Sequence, residues 1–214
     1  MTDFETERAG EKPRNSAQTI ERILLAAEQE FGTHGLDGAK IEDIARVAGI
    51  SKQLIYHYFN GKDDLYSEML SSIACRNYEL LCALDYQALT PEGSQRASFK
   101  KLFDIFRENP FASTLTIDQG LHSGAQVRFS RHVQRAREEF REKLGERLSK
   151  GQEAGVIAAS ATPESVHFLA VVLVSGCLSL GPMFRRYTGA DKPDEDTLAL
   201  RAEYSDFFMG AIRA

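Results

Sequence analysis

Between Ser51 and Gly61 the chain carries Lys52, Gln53, Leu54, Tyr56, His57 and Tyr58, and not one carboxylate. Lysine can donate to the O6/N7 edge of guanine, and glutamine can pair bidentately with adenine. Leu54 suits a thymine methyl, while His57, one helical turn beyond Gln53, can meet a base or a phosphate. A plain solvated helix face mixes both signs of charge. A face of this kind is suited instead to a polyanion with readable base edges. Ser51 and Lys62 stand at two helix starts, where free N–H groups favour phosphate.

The elements that must hold this face are legible on either side of it. Ile41, Ile44, Ala45 and Ala48 fall at i, i+3, i+4 and i+7, which predicts a short helix with one buried face. Gly49 follows where the chain must turn with φ > 0, and Ile50 can pin that turn to the core. Ser51 is a good N-cap for a second helix over residues 52–58, with Ile55 and Phe59 facing inward. Two short helices joined by a tight glycine turn make a helix-turn-helix, which presents its second helix to the DNA major groove. An ordinary αα-corner shares that skeleton; the exposed face favours DNA.

Residues 19–70 as a whole resemble the DNA-binding domain of the tetracycline-repressor family. The resemblance is carried by ERILLAA, the Phe31-Gly32-x-x-Gly35 ending, the turn AGISK, the block IYHYF and the helix start KDDLY. It implies an all-α fold: an N-terminal three-helix helix-turn-helix domain (16–62) and a C-terminal helical domain (63–214) for effector binding and dimerisation. It also implies a homodimer that binds double-stranded DNA at a palindromic operator and is released by a small-molecule effector. By position in the family motif, Lys40, Tyr56, Tyr58 and Lys62 are phosphate contacts, and the helix end near Thr19 lies against the DNA backbone. Tyr58 stands where the family more often has histidine, and core packing with a wet hydroxyl is the other reading of both tyrosines.

At 214 residues with 43% hydrophobic and 27% charged content, the chain can bury a real core. Its net charge of −5 neither supports nor excludes a DNA partner, because residues 40–62 hold four cations against two carboxylates. The three cysteines form no CxxC pair and suit a reducing cytoplasm. The polar first residues lack the apolar core of a signal segment.

Residues 1–15 lack periodicity and read as a disordered arm. A first helix is expected over 17–32, capped by Ser16 or Thr19. A fourth should start after Asn60-Gly61, run to about residue 87 and break near Thr90-Pro91. Helical spacing then recurs over 94–108, 111–122, up to Lys150 along a stripe from Phe129 to Leu148, from Thr162-Pro163 onward, and over 196–212. Residues 165–184 carry no formal charge, so a membrane span must be weighed. The small residues Ser175, Gly176 and Ser179 and an expected break at Gly181-Pro182 favour a buried helix that a partner helix can approach.

Catalysis finds little support, since the five histidines are scattered and no nucleophile elbow, HExxH or phosphate loop occurs. No cofactor is expected. No metal site is expected either, because Cys75 and Cys82 suit one apolar helix face. Phe103, Phe106, Leu115, Gln119, His122, Phe129 and His167 are candidates for an effector pocket, each with a core role as the competing reading. Two rivals remain: a DNA-binding regulator whose C-terminal domain docks a protein partner, and an enzyme with an incidental helix-turn-helix.

Overall fold

The computed structural model describes residues 8–109, 111–121, 130–188 and 197–214, and every regular element among them is a helix. The N-terminal unit opens with α1 (Arg8–Gly38) and α2 (Ile41–Ala48). Gly49 closes α2 with φ 64° and ψ 40°. Its N–H donates to the Arg46 carbonyl at 3.2 Å, and the Ile50 N–H donates to the Ala45 carbonyl at 3.0 Å. This doubly bonded left-handed ending is the Schellman motif, and a Cβ at Gly49 would be strained there. The Arg22 guanidinium, from α1, donates to the Ala48 carbonyl and satisfies another free end.

Ser51 then caps α3 (Lys52–Tyr58), its hydroxyl accepting from the Leu54 N–H at 3.2 Å. Ile23, Ala27, Phe31, Ile44 and Ile55 close the core of this unit. That core also takes Leu65 to Ile73 from α4 (Lys62–Cys82) and Leu115 from α6 (Ala112–Leu121). Elements beyond α3 therefore complete this first core. Gly32 shows how close the approach is, for a Cβ there would lie 2.3 Å from the Phe111 ring.

Several boundaries differ from the periodicity. Helix α1 starts at Arg8, inside the expected arm, and extends to Gly38 through a non-helical Gly35 (φ 68°, ψ 176°). Helix α4 stops at Cys82 rather than near residue 87. The Asp85 carboxylate accepts from the Gln87 N–H at 2.9 Å and the Tyr86 hydroxyl donates to the Leu81 carbonyl at 3.1 Å. Such local side-chain bonds compete with helix propagation. Helix α5 (Pro91–Glu108) starts earlier than expected, because Thr90 caps it and Pro91 sits in its first turn. Helix α8 (Pro163–Thr188) runs on through Gly181-Pro182. Packing of α8 against α5, α6, α7 and α9 offsets the interior proline, which costs about 3 kcal/mol in an isolated helix.

The second core lies among α4, α5, α7 (Arg131–Glu153), α8 and α9 (Thr197–Ile212). The expected α7 stripe is buried at Val133, Ala136, Phe140, Leu144 and Leu148. Phe99 stacks on Phe208 with ring centroids 4.8 Å apart. Helix α4 thus spans both cores, with Leu65 in the first and Leu81 in the second.

Candidate nucleic-acid interface and bundle cavity

Helix α3 turns Ile55 fully inward and leaves Gln53, Tyr56 and His57 exposed. Lys52 and Leu54 are half-buried on its flank. The Lys52 ammonium pairs with Glu42 on α2 and lies 5.7 Å from the Tyr56 ring centroid. That hydrogen bond holds the Glu42 carboxyl below its usual range. Both groups are exposed, so solvent screens the pair and it opens readily. The face therefore keeps its cation available.

The remaining candidates surround this helix in different states. The Lys40 side chain is exposed at the start of α2, and its backbone N–H donates to Glu30 at 3.3 Å. Lys62, at the start of α4, donates to the carbonyls of Asp37 (3.2 Å) and Ala39 (3.3 Å). Its ammonium thereby ties α4 to the α1–α2 turn, a structural role that the sequence did not announce. Tyr58 is half-buried against the first core, donates toward the Ser16 hydroxyl at 3.5 Å and meets the His57 ring edge-on at 5.1 Å. Tyr56 is 48% exposed, whereas Thr19 is half-buried on α1. Arg46 is the exposed cation of α2 and pairs with Asp43 at 2.9 Å.

The effector candidates do not form one group. Phe103 and Phe106 belong to the second core, Leu115 to the first, and Gln119 is half-buried on α6. His122 and Phe129 lie outside the described residues. His167 lines a small cavity of about 20 Å³ with Gln95, Ser98, Leu81, Phe140 and Phe208. Gln95 is the residue that periodicity missed: it is 1% exposed, and neither its amide oxygen nor its amide nitrogen has a hydrogen-bond partner. No charged side chain is among the described residues lining this space.

The His167 ring packs against Phe140 (4.9 Å) and Tyr78 (5.7 Å). Burial drops its pKa from 6.5 to about 4, so it is neutral at physiological pH. The folded value lies below the unfolded one, so the unfolded chain binds more protons between them. Stability is therefore full above about pH 6.5 and declines as pH falls toward 4, by on the order of 1–2 kcal/mol after allowing for partial exposure. Thermal melts of His167→Phe should decline less across that window than those of the parent chain; parallel profiles would refute the assignment.

Outward from the bundle, α8 presents Phe168, Val172, Leu180, Met183 and Tyr187, and α9 presents Leu198 and Phe207. On α8 these fall on one stripe at helical spacing, with Gly176 in its middle leaving open space around its Cβ position. Residues 163–181 are long and apolar enough to cross a membrane by length and composition alone, with 28% of the segment buried.

Residues 23–69 match the family described as "Bacterial regulatory proteins, tetR family", and residues 91–206 match "Tetracyclin repressor-like, C-terminal domain". The chain is 28% identical over 185 residues to the HTH-type transcriptional repressor SCO4008 of Streptomyces coelicolor, covering 86% of this chain and 91% of that one. It is 26% identical over 130 residues to the HTH-type transcriptional repressor NicS of Pseudomonas putida, covering 61% of each. Among solved structures, the putative transcriptional regulator SCO4942 from Streptomyces coelicolor has the same fold, with a TM-score of 0.68 at 24% identity over 91% of this chain and 98% of that one. A helix-turn-helix with a carboxylate-free outer face, an all-helical second domain and matches to both halves give one conclusion: the chain belongs to the tetR family of bacterial regulatory proteins.

Proposed function

We propose that the chain is a cytoplasmic transcriptional repressor that grips a palindromic operator as a homodimer and is released by a small-molecule effector. The observation that carries the reading is the α3 outer face, where Gln53, Tyr56 and His57 are exposed around an anchored Ile55 and Lys52. Paired copies of this helix fit successive major grooves about 34–36 Å apart. Lys40, Tyr56 and the α3 N-terminus at Ser51 would meet phosphates, while Lys52, Gln53, Leu54 and His57 would meet base edges. Tyr58, Thr19 and Lys62 would contribute at the margin, with Lys62 also holding the α1–α2 turn.

Dimerisation would use the α8–α9 stripe, an apolar surface that a second copy covers by symmetry. The effector would enter the cavity at Gln95, Ser98 and His167. That space holds about one water molecule as it stands, so the effector must select a wider form. Leu81, at the far end of α4, forms part of the wall, and α4 also reaches the DNA-side core, so widening would be coupled to that core through α4. A differential affinity of about 5.5 kcal/mol would convert the bound form to the released form almost fully. The protein would act by binding DNA and effector rather than by catalysis.

Operator selection from random DNA, followed by Gln53→Ala and Lys40→Ala, tests the reading. Gln53→Ala should cost about 1–3 kcal/mol at one base pair of each half-site and relax sequence preference there. Lys40→Ala should weaken all sequences alike and lower the salt slope by about 1 per site. Equal losses on random and selected DNA for both variants would reject α3 as the reading helix.

A further inference from the structure

We infer that Cys75, Glu79 and His132 form a site for a zinc-class divalent ion, which would join α4 to the first turn of α7. Cys75 and Glu79 stand four apart on α4, so they share a face, and His132 reaches them from α7. The sequence pairs Cys75 with Cys82; the fold instead brings it a carboxylate and an imidazole. The Cys75 Sγ lies 3.3 Å from Glu79 Oε1, and His132 Nε2 lies 3.4 Å from the same oxygen. All three donor atoms fall within 4.8 Å of one another. Tetrahedral zinc with bonds of about 2.0–2.3 Å separates its sulfur, nitrogen and oxygen donors by about 3.4–3.6 Å. The two separations from Glu79 Oε1 are already close to that spacing.

The surroundings carry more carboxylates than cations. The three residues border an open cavity of about 630 Å³ that also receives the carboxylates of Glu21, Glu28 and Glu68. Arg76 occupies Glu28, at 3.2 Å. The Glu68 carboxyl, on the same wall, is held above its usual range by burial and by Asp64. Cys75 is buried, whereas Glu79 and His132 are exposed, so the open side of the site faces the cavity and leaves a fourth position for water. A thiolate, an imidazole and a carboxylate together suit zinc or cobalt better than magnesium or calcium. Binding replaces the thiol proton with the metal: the S–H bond breaks, the S–metal bond forms, and the proton leaves to solvent. Histidine binds neutral and glutamate ionised.

The test is titration of the full-length, reduced, chelator-stripped protein with Co²⁺ alone, followed by absorbance. A thiolate-to-cobalt charge-transfer band with intense tetrahedral visible bands, saturating at one ion per chain, is the expected result. His132→Ala, at an exposed position that leaves the fold intact, should weaken binding at least tenfold. Cys75→Ser should remove the charge-transfer band, and Cys82→Ser should keep it. Zinc should displace the cobalt. No charge-transfer band, or a band indifferent to both His132→Ala and Cys75→Ser, would overturn the site. Neither outcome bears on operator binding, which the Gln53 and Lys40 variants test separately.

Discussion

With Phe168 replaced by glutamate, the chain should sediment as a monomer and bind an operator fragment about a hundredfold more weakly or worse. Phe168 is 70% exposed on the α8 stripe, so the substitution removes nothing from the protomer's own core. In a two-fold interface the same residue faces the stripe of the second copy, and the new carboxylate appears twice in an apolar contact. An unpaired charge buried there costs several kcal/mol, enough to dissociate an interface of ordinary size. Each half-site then binds alone, and the linked pair loses the 10²–10⁴ that a tethered second contact supplies. Sedimentation and fluorescence anisotropy on a selected operator check both parts, with helical content and melting as controls for folding. A dimer of undiminished affinity would move the interface elsewhere.

Gln95→Leu should stabilise the protein and silence its response. Each buried polar group without a partner costs about 1–3 kcal/mol, and Gln95 has a donor and an acceptor in that condition. Leucine fills similar space without that debt. For a chain of this size about 1 kcal/mol corresponds to 2–4 °C in melting temperature, so a rise of several degrees is expected. The second readout uses benzamide, benzoate and benzamidine, which share a shape and differ in charge. Benzamide, which matches an amide edge in an uncharged cavity, should raise the parent's melting temperature more than either ion and should leave Gln95→Leu unmoved. A fall in stability on Gln95→Leu, with the probe response retained, would make Gln95 a structural residue bridged by water and send the effector search elsewhere.

What the sequence revealed and what it hid divide along a physical line. Gly49, Ser51, Ile55 and the bare outer face of α3 act over one or two turns, and so they are visible in local spacing. The same holds for Thr162, whose hydroxyl accepts from the Ser165 N–H at 3.2 Å while the Ser165 hydroxyl accepts from the Thr162 N–H at 3.1 Å. Gln95 looked like one polar residue near a helix start, because its isolation depends on four other helices. Lys62 had the type and position of a phosphate ligand, yet two carbonyls far back in the chain already hold its ammonium. On α9, Phe207 and Phe208 are adjacent and equally apolar, so helical spacing over 196–212 does not separate them. The fold buries Phe208 at 2% exposure and turns Phe207 outward at 59%, since the helix is apolar on both sides and periodicity cannot rank them.

The two cores share their borders, and this limits how the protein can be recombined. Tyr66, in the DNA-side core, donates its hydroxyl to Asp118 on α6, and Gly32 admits the Phe111 ring where any side chain would collide. A chimera cut just after Gly61 would leave behind the α4 residues and Leu115 that finish the front domain. Transplanting this recognition unit onto a foreign sensor therefore requires the graft to carry α4 and α6 with it, and evolution by simple module exchange would meet the same seam.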